Sequence, residues 1–422
     1  MAEAQRRGSG LTTLHVLLGL ALIMLLAGCP KPPQRPDQPP IGVRGYFVGS
    51  IHNHTGYSDG QGRPEDAFAA GKAAGLHYFF LTEHSEWLNF PFRADEECLS
   101  LGAIPRCAAF PPPGKTEWQD VKDQGERASD PAIPYFGLRG FEWSSPILGH
   151  LNVLLSSHFE PSSPLEAKMD PFWTWFLLDR NLGGGSDGLG IFNHPSRERH
   201  PIRALQTFED FRYVREADPR MVGLEVFNRA DDYSACYARA LGKGWHLGAI
   251  GAADEHTTWG RLDRSRTILI VDTKRFAEFS PEAVRDALAA RRFYATFDPN
   301  LRITYKADGH GMGAHLQREP GRAVVLTVEA EDADPGDLIR RIEVYGKGLP
   351  EPTCDREQFD EAGDRKIVLK QTPVGAADFD ARVASLEVRV LPPPGQESWY
   401  FAKVIQADGQ VAYTSPIWVT VP

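Results

Sequence analysis

The chain has 422 residues, 42% of them hydrophobic and 24% charged. This is an ordinary globular composition, which excludes wholesale disorder, a collagen-like repeat and a coiled coil. Its net charge of −10 argues against a surface that coats nucleic acid, which needs a basic face, and five cysteines are too few for a disulfide scaffold.

Arg6 and Arg7 precede an unbroken apolar run of 12 residues, Val16 to Ala27. A membrane-spanning helix needs roughly 20, so the run reads as a cleaved signal. It ends in Leu26-Ala27-Gly28-Cys29. Small residues before a cysteine fit a narrow peptidase pocket, and the segment resembles a bacterial lipoprotein signal with Cys29 as the lipidated residue. The expected organisation is therefore a signal over 1–28 and a semi-rigid, proline-rich tether over 29–44. The expected location is the bacterial cell envelope, with the protein lipid-anchored and either periplasmic or surface-exposed. Outside the cytosol Cys98, Cys107, Cys236 and Cys354 are permitted to pair. Cys98 and Cys107 share one polar, proline-rich loop and are the expected disulfide; Cys236 and Cys354 read as buried thiols.

From Tyr46 onward, short β-branched and aromatic runs recur: Tyr46–Ile51, His77–Leu81, Tyr135–Phe141, Leu151–Leu155, Leu189–Phe192, Val222–Phe227, Leu247–Ile250 and Thr267–Val271. Helix signals stand between some of them. Pro64-Glu65-Asp66 opens a helix that ends near Gly75. Thr116 with Gln119 forms a capping-box pattern, and Ser280-Pro281 opens a helix ending near Arg292. Strands alternating with helices predict an α/β fold with parallel strands over 45–299. Past Asn300 the helical signals stop. Leu301–Tyr305, Ala323–Ala330, Arg341–Tyr345, Ile367–Gln371, Ala384–Val390, Tyr400–Gln406 and Pro416–Val421 read as the strands of a β-sandwich over 300–422.

The polar residues of interest stand at or just after the ends of the apolar runs. They are His52-Asn53-His54 with Asp59, Glu83-His84, Glu142 with His150, Asn193-His194-Pro195, and Asp254-Glu255-His256. In barrels of parallel strands such positions share one pocket. Imidazoles and carboxylates without cysteine suit Zn²⁺, Mn²⁺ or Fe²⁺ in a hydrolytic site. His52 and His54, two residues apart in an extended segment, point to the same side, and Asp254 with His256 repeats the spacing. Glu142 is the isolated acidic candidate for a carboxylate shared between ions. A water held between the ions would lose its proton near neutral pH and become the nucleophile. Glu142 and Asp254 are the candidate catalytic carboxylates. Arg197, Arg229 and Arg261 are candidate substrate-binding forks for phosphate, and Trp259 either stacks on an aromatic leaving group or packs.

The ordered set HNHTGYSDG, TEH, GFE followed by GHLN, NHP and GAADEH resembles the PHP (polymerase and histidinol phosphatase) family. Within it the set is most similar to the CehA/McbA metallohydrolase branch. The resemblance covers roughly Gly45 to Thr296, and Arg291–Thr296 looks like the family's closing segment. It implies a distorted (β/α)7 barrel, here followed by an immunoglobulin-like sandwich, with two or three divalent metal ions. One ion would take His52, His54, Glu142 and Asp254. A second would share Glu142 and add His150 and His194. A third would take Asp59, His84 and His256. The sequence departs from the family at Glu83, where aspartate is usual, and at Ala253, where serine is usual. The expected activity is hydrolysis of a small-molecule substrate, first of all a phosphate ester. The alternatives are a carbamate or amide hydrolase on the same site, or a non-catalytic surface-binding lipoprotein.

Overall fold

The apolar runs between Tyr46 and Val271 all become strands, and a computed structural model shows how they pair. It describes residues 45–422 except 89–97, 102–103, 108–111, 113, 164, 198–205, 258, 262–263, 273–277, 348–353 and 355–363. The expected signal, Cys29 and the tether lie outside the described residues. The first half contains β1 (Gly45–Ser50), α1 (Pro64–Ala73), β2 (Tyr78–His84), a hairpin of β3 (Cys98–Leu101) and β4 (Ile104–Cys107), α2 (Glu117–Ala128), β5 (Phe136–Ser145), β6 (Gly149–Leu154) and α3 (Asp170–Leu177). It continues with β7 (Leu189–Phe192), α4 (Gln206–Phe211), β8 (Met221–Asn228), β9 (Asp231–Asp232), α5 (Ser234–Gly242), β10 (Gly248–Ala252), β11 (Arg266–Val271), α6 (Pro281–Ala289) and β12 (Phe293–Thr296).

The helix starts follow from their caps. Thr116 accepts from the Gln119 N–H and Gln119 reaches back to the Thr116 N–H; Ser280 accepts from the Ala283 N–H. The strands lie in the order β10-β8-β7-β6-β5-β2-β1-β11-β12. Pairs β1/β2, β2/β5, β7/β8 and β8/β10 are parallel. The expectation of parallel strands fails at β5/β6, β6/β7, β1/β11 and β11/β12, which are antiparallel. Between β5 and β6 the chain turns back with no helix, and a short turn can only join antiparallel neighbours. At the end of the order, β10 lies against β11: the Gly251 N–H meets Thr267 Oγ1 at 3.0 Å.

Alternation along the strands builds the floor of the site. One face carries Tyr78, Phe80, Thr82 and His84 on β2, in register with Phe136, Leu138, Gly140 and Glu142 on β5. The first members of each row join Phe47, Ile191, Val222, Ile250 and Leu269 in one buried apolar cluster. The last members are polar. Side-chain period two thus sets an apolar plug beneath His84 and Glu142.

Among the described residues the second half is all β: β13 (Arg302–Ala307), β14 (His310–Gly311), β15 (His315–Gln317), β16 (Val324–Glu331), β17 (Ile339–Gly346), β18 (Gly375–Ala381), β19 (Val383–Val390), β20 (Gln396–Gln406), β21 (Val411–Thr414) and β22 (Ile417–Val421). A four-stranded sheet, β14-β13-β16-β19, stands apart, while β21, β20, β17, β18, β22 and β15 extend the large sheet through the β12/β21 pair. Ile303, Tyr305, Leu326 and Val328 from the first sheet share a buried cluster with Ile342, Val344, Ala402 and Val404 from the second. The run Ile367–Gln371 is not a strand. It packs as a strap whose backbone bonds Asp232 and Ala235 at the start of α5, and β18 takes the expected place in the sheet.

The cysteines require a further correction. Cys236 and Cys354 are not separate thiols but a disulfide, with Cα atoms 4.6 Å apart. Cys98 and Cys107 stand directly opposite in the β3/β4 ladder; their side chains lie outside the described residues.

Candidate metal centre

The nine expected side chains come together where the strands of the first half end. His52 and His54 follow β1, His84 closes β2, Glu142 lies near the end of β5, and His194 and Asp254 follow β7 and β10. His150 stands at the start of β6. Because β6 runs antiparallel to β5, its beginning lies at the edge where the parallel strands finish. Asp59 and His256 complete the group, the latter with Nε2 3.2 Å from Asp59 Oδ2.

Glu142 is the hub. Its carboxylate lies 3.3 Å from His52 Nε2, 3.5 Å from His54 Nε2, 3.0 Å from His84 Nδ1, 3.2 Å from His150 Nδ1 and 3.2 Å from His194 Nε2. Asn193 Nδ2 donates to it at 2.8 Å. Among the described residues, overlapping sets around it have donor atoms close enough to hold a cation, including His54, Asp59, His84 and His256; His52, His54 and Glu142; His84, Glu142 and His150; and His52, His194 and Glu225. His52, His54 and Glu142 are fully buried, whereas Asp59, His84, His150 and His256 are partly exposed. The site therefore opens on the side of Asp59 and His150.

Glu225 was not among the expected residues. From within β8 its Oε1 accepts from His52 Nδ1 at 2.7 Å, while Oε2 accepts from the His194 N–H at 2.9 Å and from Asn228 Nδ2 at 2.8 Å. A carboxylate behind a histidine fixes its tautomer and leaves the other nitrogen bare. The signal available in sequence was a glutamate inside an otherwise apolar run.

The hydrogen bonds test whether the site suits a metal. With Nδ1 of His52 donating to Glu225, its Nε2 carries a lone pair. The Ser58 hydroxyl donates to Glu83, so it accepts from His54 Nδ1 at 3.2 Å, and His54 Nε2 carries a lone pair too. These two nitrogens face each other at 3.0 Å. Two lone pairs at that distance repel unless a cation, either a proton carried by His52 or a metal ion, sits between them. The field favours one: burial opposes charge on His52, but Glu142, Glu225 and Asp254 outweigh it and hold its pKa well above the ordinary histidine range. For His54, burial and the neighbouring His256 and His84 push the pKa down. Burial opposes ionisation of Glu142 and Asp59, yet the surrounding imidazoles keep both carboxyls below their usual range. Asp59 Oδ1 is buried with no hydrogen-bond partner. The donor set fits divalent cations.

Asp254 is held from the rim. Arg197 Nη1 donates to its Oδ2 at 2.7 Å and Arg197 Nη2 to Asn228 Oδ1 at 3.1 Å. Arg229 Nη2 donates to the Asp254 carbonyl at 3.2 Å. Asp254 and Arg229 have φ of 47° and 54°, a backbone conformation that costs energy for such residues and clusters at functional sites. Arg261 is exposed, and its carbonyl accepts from Arg266. Trp259 serves the framework: its Nε1 donates to the His54 carbonyl at 2.9 Å. Glu83 is fully buried and binds the loop after β1 through the Thr55 N–H, the Thr55 hydroxyl and Ser58.

No family model matches the chain. A curated relative, an uncharacterized protein of Chlamydia pneumoniae, is 26% identical over 149 residues, or 34% of this chain. The chain spans about a fifth (21%) of that relative's length. Among solved structures, a two-domain protein from Bacteroides vulgatus containing a predicted PHP-like metal-dependent phosphoesterase is 17% identical. The alignment covers 92% of this chain and 100% of that one, with a TM-score of 0.42. A DUF4466 family protein from Parabacteroides merdae is 14% identical over 27% of this chain and 42% of its own, with a TM-score of 0.19. At these scores the likenesses carry no argument.

Proposed function

We propose that the chain is a metal-dependent hydrolase of the PHP type, first of all a phosphoesterase, acting on a small-molecule substrate from a distorted (β/α)7 barrel with an immunoglobulin-like sandwich behind it. The observation that supports this is the position of Glu142 against five imidazoles. Six imidazoles and three carboxylates exceed what one ion coordinates at the usual four to six, so two or three zinc, manganese or iron ions are expected. His52, His54, Glu142 and Asp254 would hold one, Glu142, His150 and His194 a second, and Asp59, His84 and His256 a third. Bound divalent ions supply Lewis acidity, which activates water near neutral pH and neutralises charge developing on the attacked group.

The chain's own residues set the stage. Glu225 aims the bare nitrogen of His52 inward. Arg197 fixes Asp254, and Arg229, 44% exposed, is the cation placed at the rim to meet an anionic substrate. The test is metal analysis of remetallated protein together with turnover of phosphate esters, carbamates and amides. Two or more ions per chain with phosphate-ester hydrolysis is the expected result. Turnover of carbamates alone would keep the site and overturn the substrate class. One ion or fewer with no turnover would favour a binding lipoprotein. A labelled fatty acid should mark the wild type and not Cys29→Ser; equal labelling would remove the envelope anchor from the proposal.

A further inference from the structure

Away from the central cluster, at the opposite end of β10 from Asp254, His246, His315 and Glu397 form a second group whose donor atoms all lie within 4.8 Å of one another. They come from three parts of the chain: the loop before β10, strand β15 and strand β20. We propose that this group is a separate zinc site, a clasp between the two halves of the molecule.

Each donor is already oriented. Asp218 accepts from His246 Nδ1 at 2.6 Å and from the His246 backbone N–H at 2.9 Å. That leaves His246 Nε2 donating to Glu397 Oε1 at 2.8 Å, a proton that zinc would displace, while Asp218 supplies the carboxylate–histidine arrangement that stands behind zinc ligands. The His315 ring lies flat on Trp418, with centroids 4.8 Å apart and planes 11° from parallel. Its Nδ1 is 4.0 Å from Glu397 Oε2, and Thr420 Oγ1 donates to the same oxygen at 3.2 Å. Arg291 lies behind, bonded to the carbonyls of His246 and Asp218, which leaves Glu397 as the anionic donor facing the two imidazoles. Bonds of about 2.0–2.1 Å in a tetrahedron put neighbouring donors roughly 3.3 Å apart. The separations of 2.8 and 4.0 Å straddle that value, and all three donors lie within 4.8 Å of one another, so side-chain adjustment closes the site. Two imidazoles and one carboxylate match zinc's preferences and leave a fourth position to water. His315 is half-exposed, so an ion reaches the group from solvent.

Because the donors are far apart in sequence, only the folded chain presents them together, and zinc binding adds to stability by mass action. The test is diffraction at the zinc edge from zinc-loaded crystals, with zinc content measured in solution for wild type, His315→Ala and Glu397→Gln. The expected result is a peak among His246 Nε2, His315 Nδ1 and the Glu397 carboxylate, and one zinc fewer per chain in each variant. Circular dichroism of the variants checks that they fold; Glu397→Gln preserves shape. Peaks at the central cluster are counted separately, so failure of the hydrolase reading does not decide this one. Equal zinc content in all three proteins, or no peak between these side chains, overturns the proposal.

Discussion

Glu142 meets five imidazoles, so its loss disturbs every ion that shares it. Glu142→Ala should lower metal content by two equivalents and cost more activity than His150→Ala, which removes one terminal donor. Metal analysis beside kcat for the two variants checks this, and equal losses would deny the shared role. Glu225→Gln acts differently. It keeps the shape behind His52 but weakens the acceptor, and partners of this kind are worth about 10–100-fold in metal affinity or activity. Competition with a chelator measures it. The clustered side chains were legible because imidazoles and carboxylates interrupt the ends of apolar runs. Glu225 was not: it lies inside Val222–Phe227, and its partner His52 is 173 positions away, so no local pattern joins them. The Cys236–Cys354 pair, 118 positions apart, was hidden for the same reason.

At the scale of elements, local signals set the beginnings and types of segments but not their pairing. The capping box at Thr116 is a case in which both halves of the signal are seen. Thr116→Ala should cost about 1 kcal/mol, read from urea denaturation, and a change within error would mean that the packing of α2 on β5 alone fixes its start. The direction of pairing was not legible, because it depends on where the chain travels between strands; β6 looks like its neighbours in composition and runs the other way. Ile367–Gln371 has strand-like composition, yet the N–H and carbonyl of Ile367 are taken by Asp232 and Ala235 and the Leu369 N–H by Ser234 Oγ. Gly251 shows how closely two strands meet without a ladder between them. A Cβ there would lie 2.4 Å from the Arg266 carbonyl oxygen. Gly251→Ala should therefore destabilise by about 1–3 kcal/mol, since backbone cannot yield as a side chain does; an unchanged denaturation midpoint would contradict so tight an approach.

At the scale of the molecule, the two halves are joined by the β12/β21 pair, by a buried acidic pair and by the strap. Gln406 Nε2 donates to both Asp298 and Asp332, at 2.8 and 2.7 Å. Burial and the neighbouring Asp298 carboxyl push Asp332 up to about 8, above roughly 3.9 in an unfolded chain. A carboxyl raised on folding stabilises most below its unfolded pKa, and that contribution is lost as pH rises through the folded value. Stability should thus fall between about pH 4 and 8 through this pair, and Asp332→Asn, which mimics the protonated form, should flatten the fall in denaturation midpoints measured across that range; an unchanged slope would mean the pair does not share a proton. The strap's backbone bonds and a disulfide to the same helix supply the other joint. The Cys236–Cys354 bond closes a loop of 118 positions, and cross-links of this kind contribute about 2–4 kcal/mol, chiefly by restricting the unfolded chain. Ser196 Oγ donates to the Cys354 carbonyl at 2.6 Å, two residues from His194, so the disulfide steadies one wall of the candidate site. Reductant should lower the wild-type unfolding free energy by about that amount and leave a Cys236→Ala/Cys354→Ala variant, already destabilised, unmoved. If wild type unfolds at the same urea concentration with and without reductant, the backbone bonds of the strap to Asp232 and Ala235 are enough to hold it, and the disulfide adds no stability.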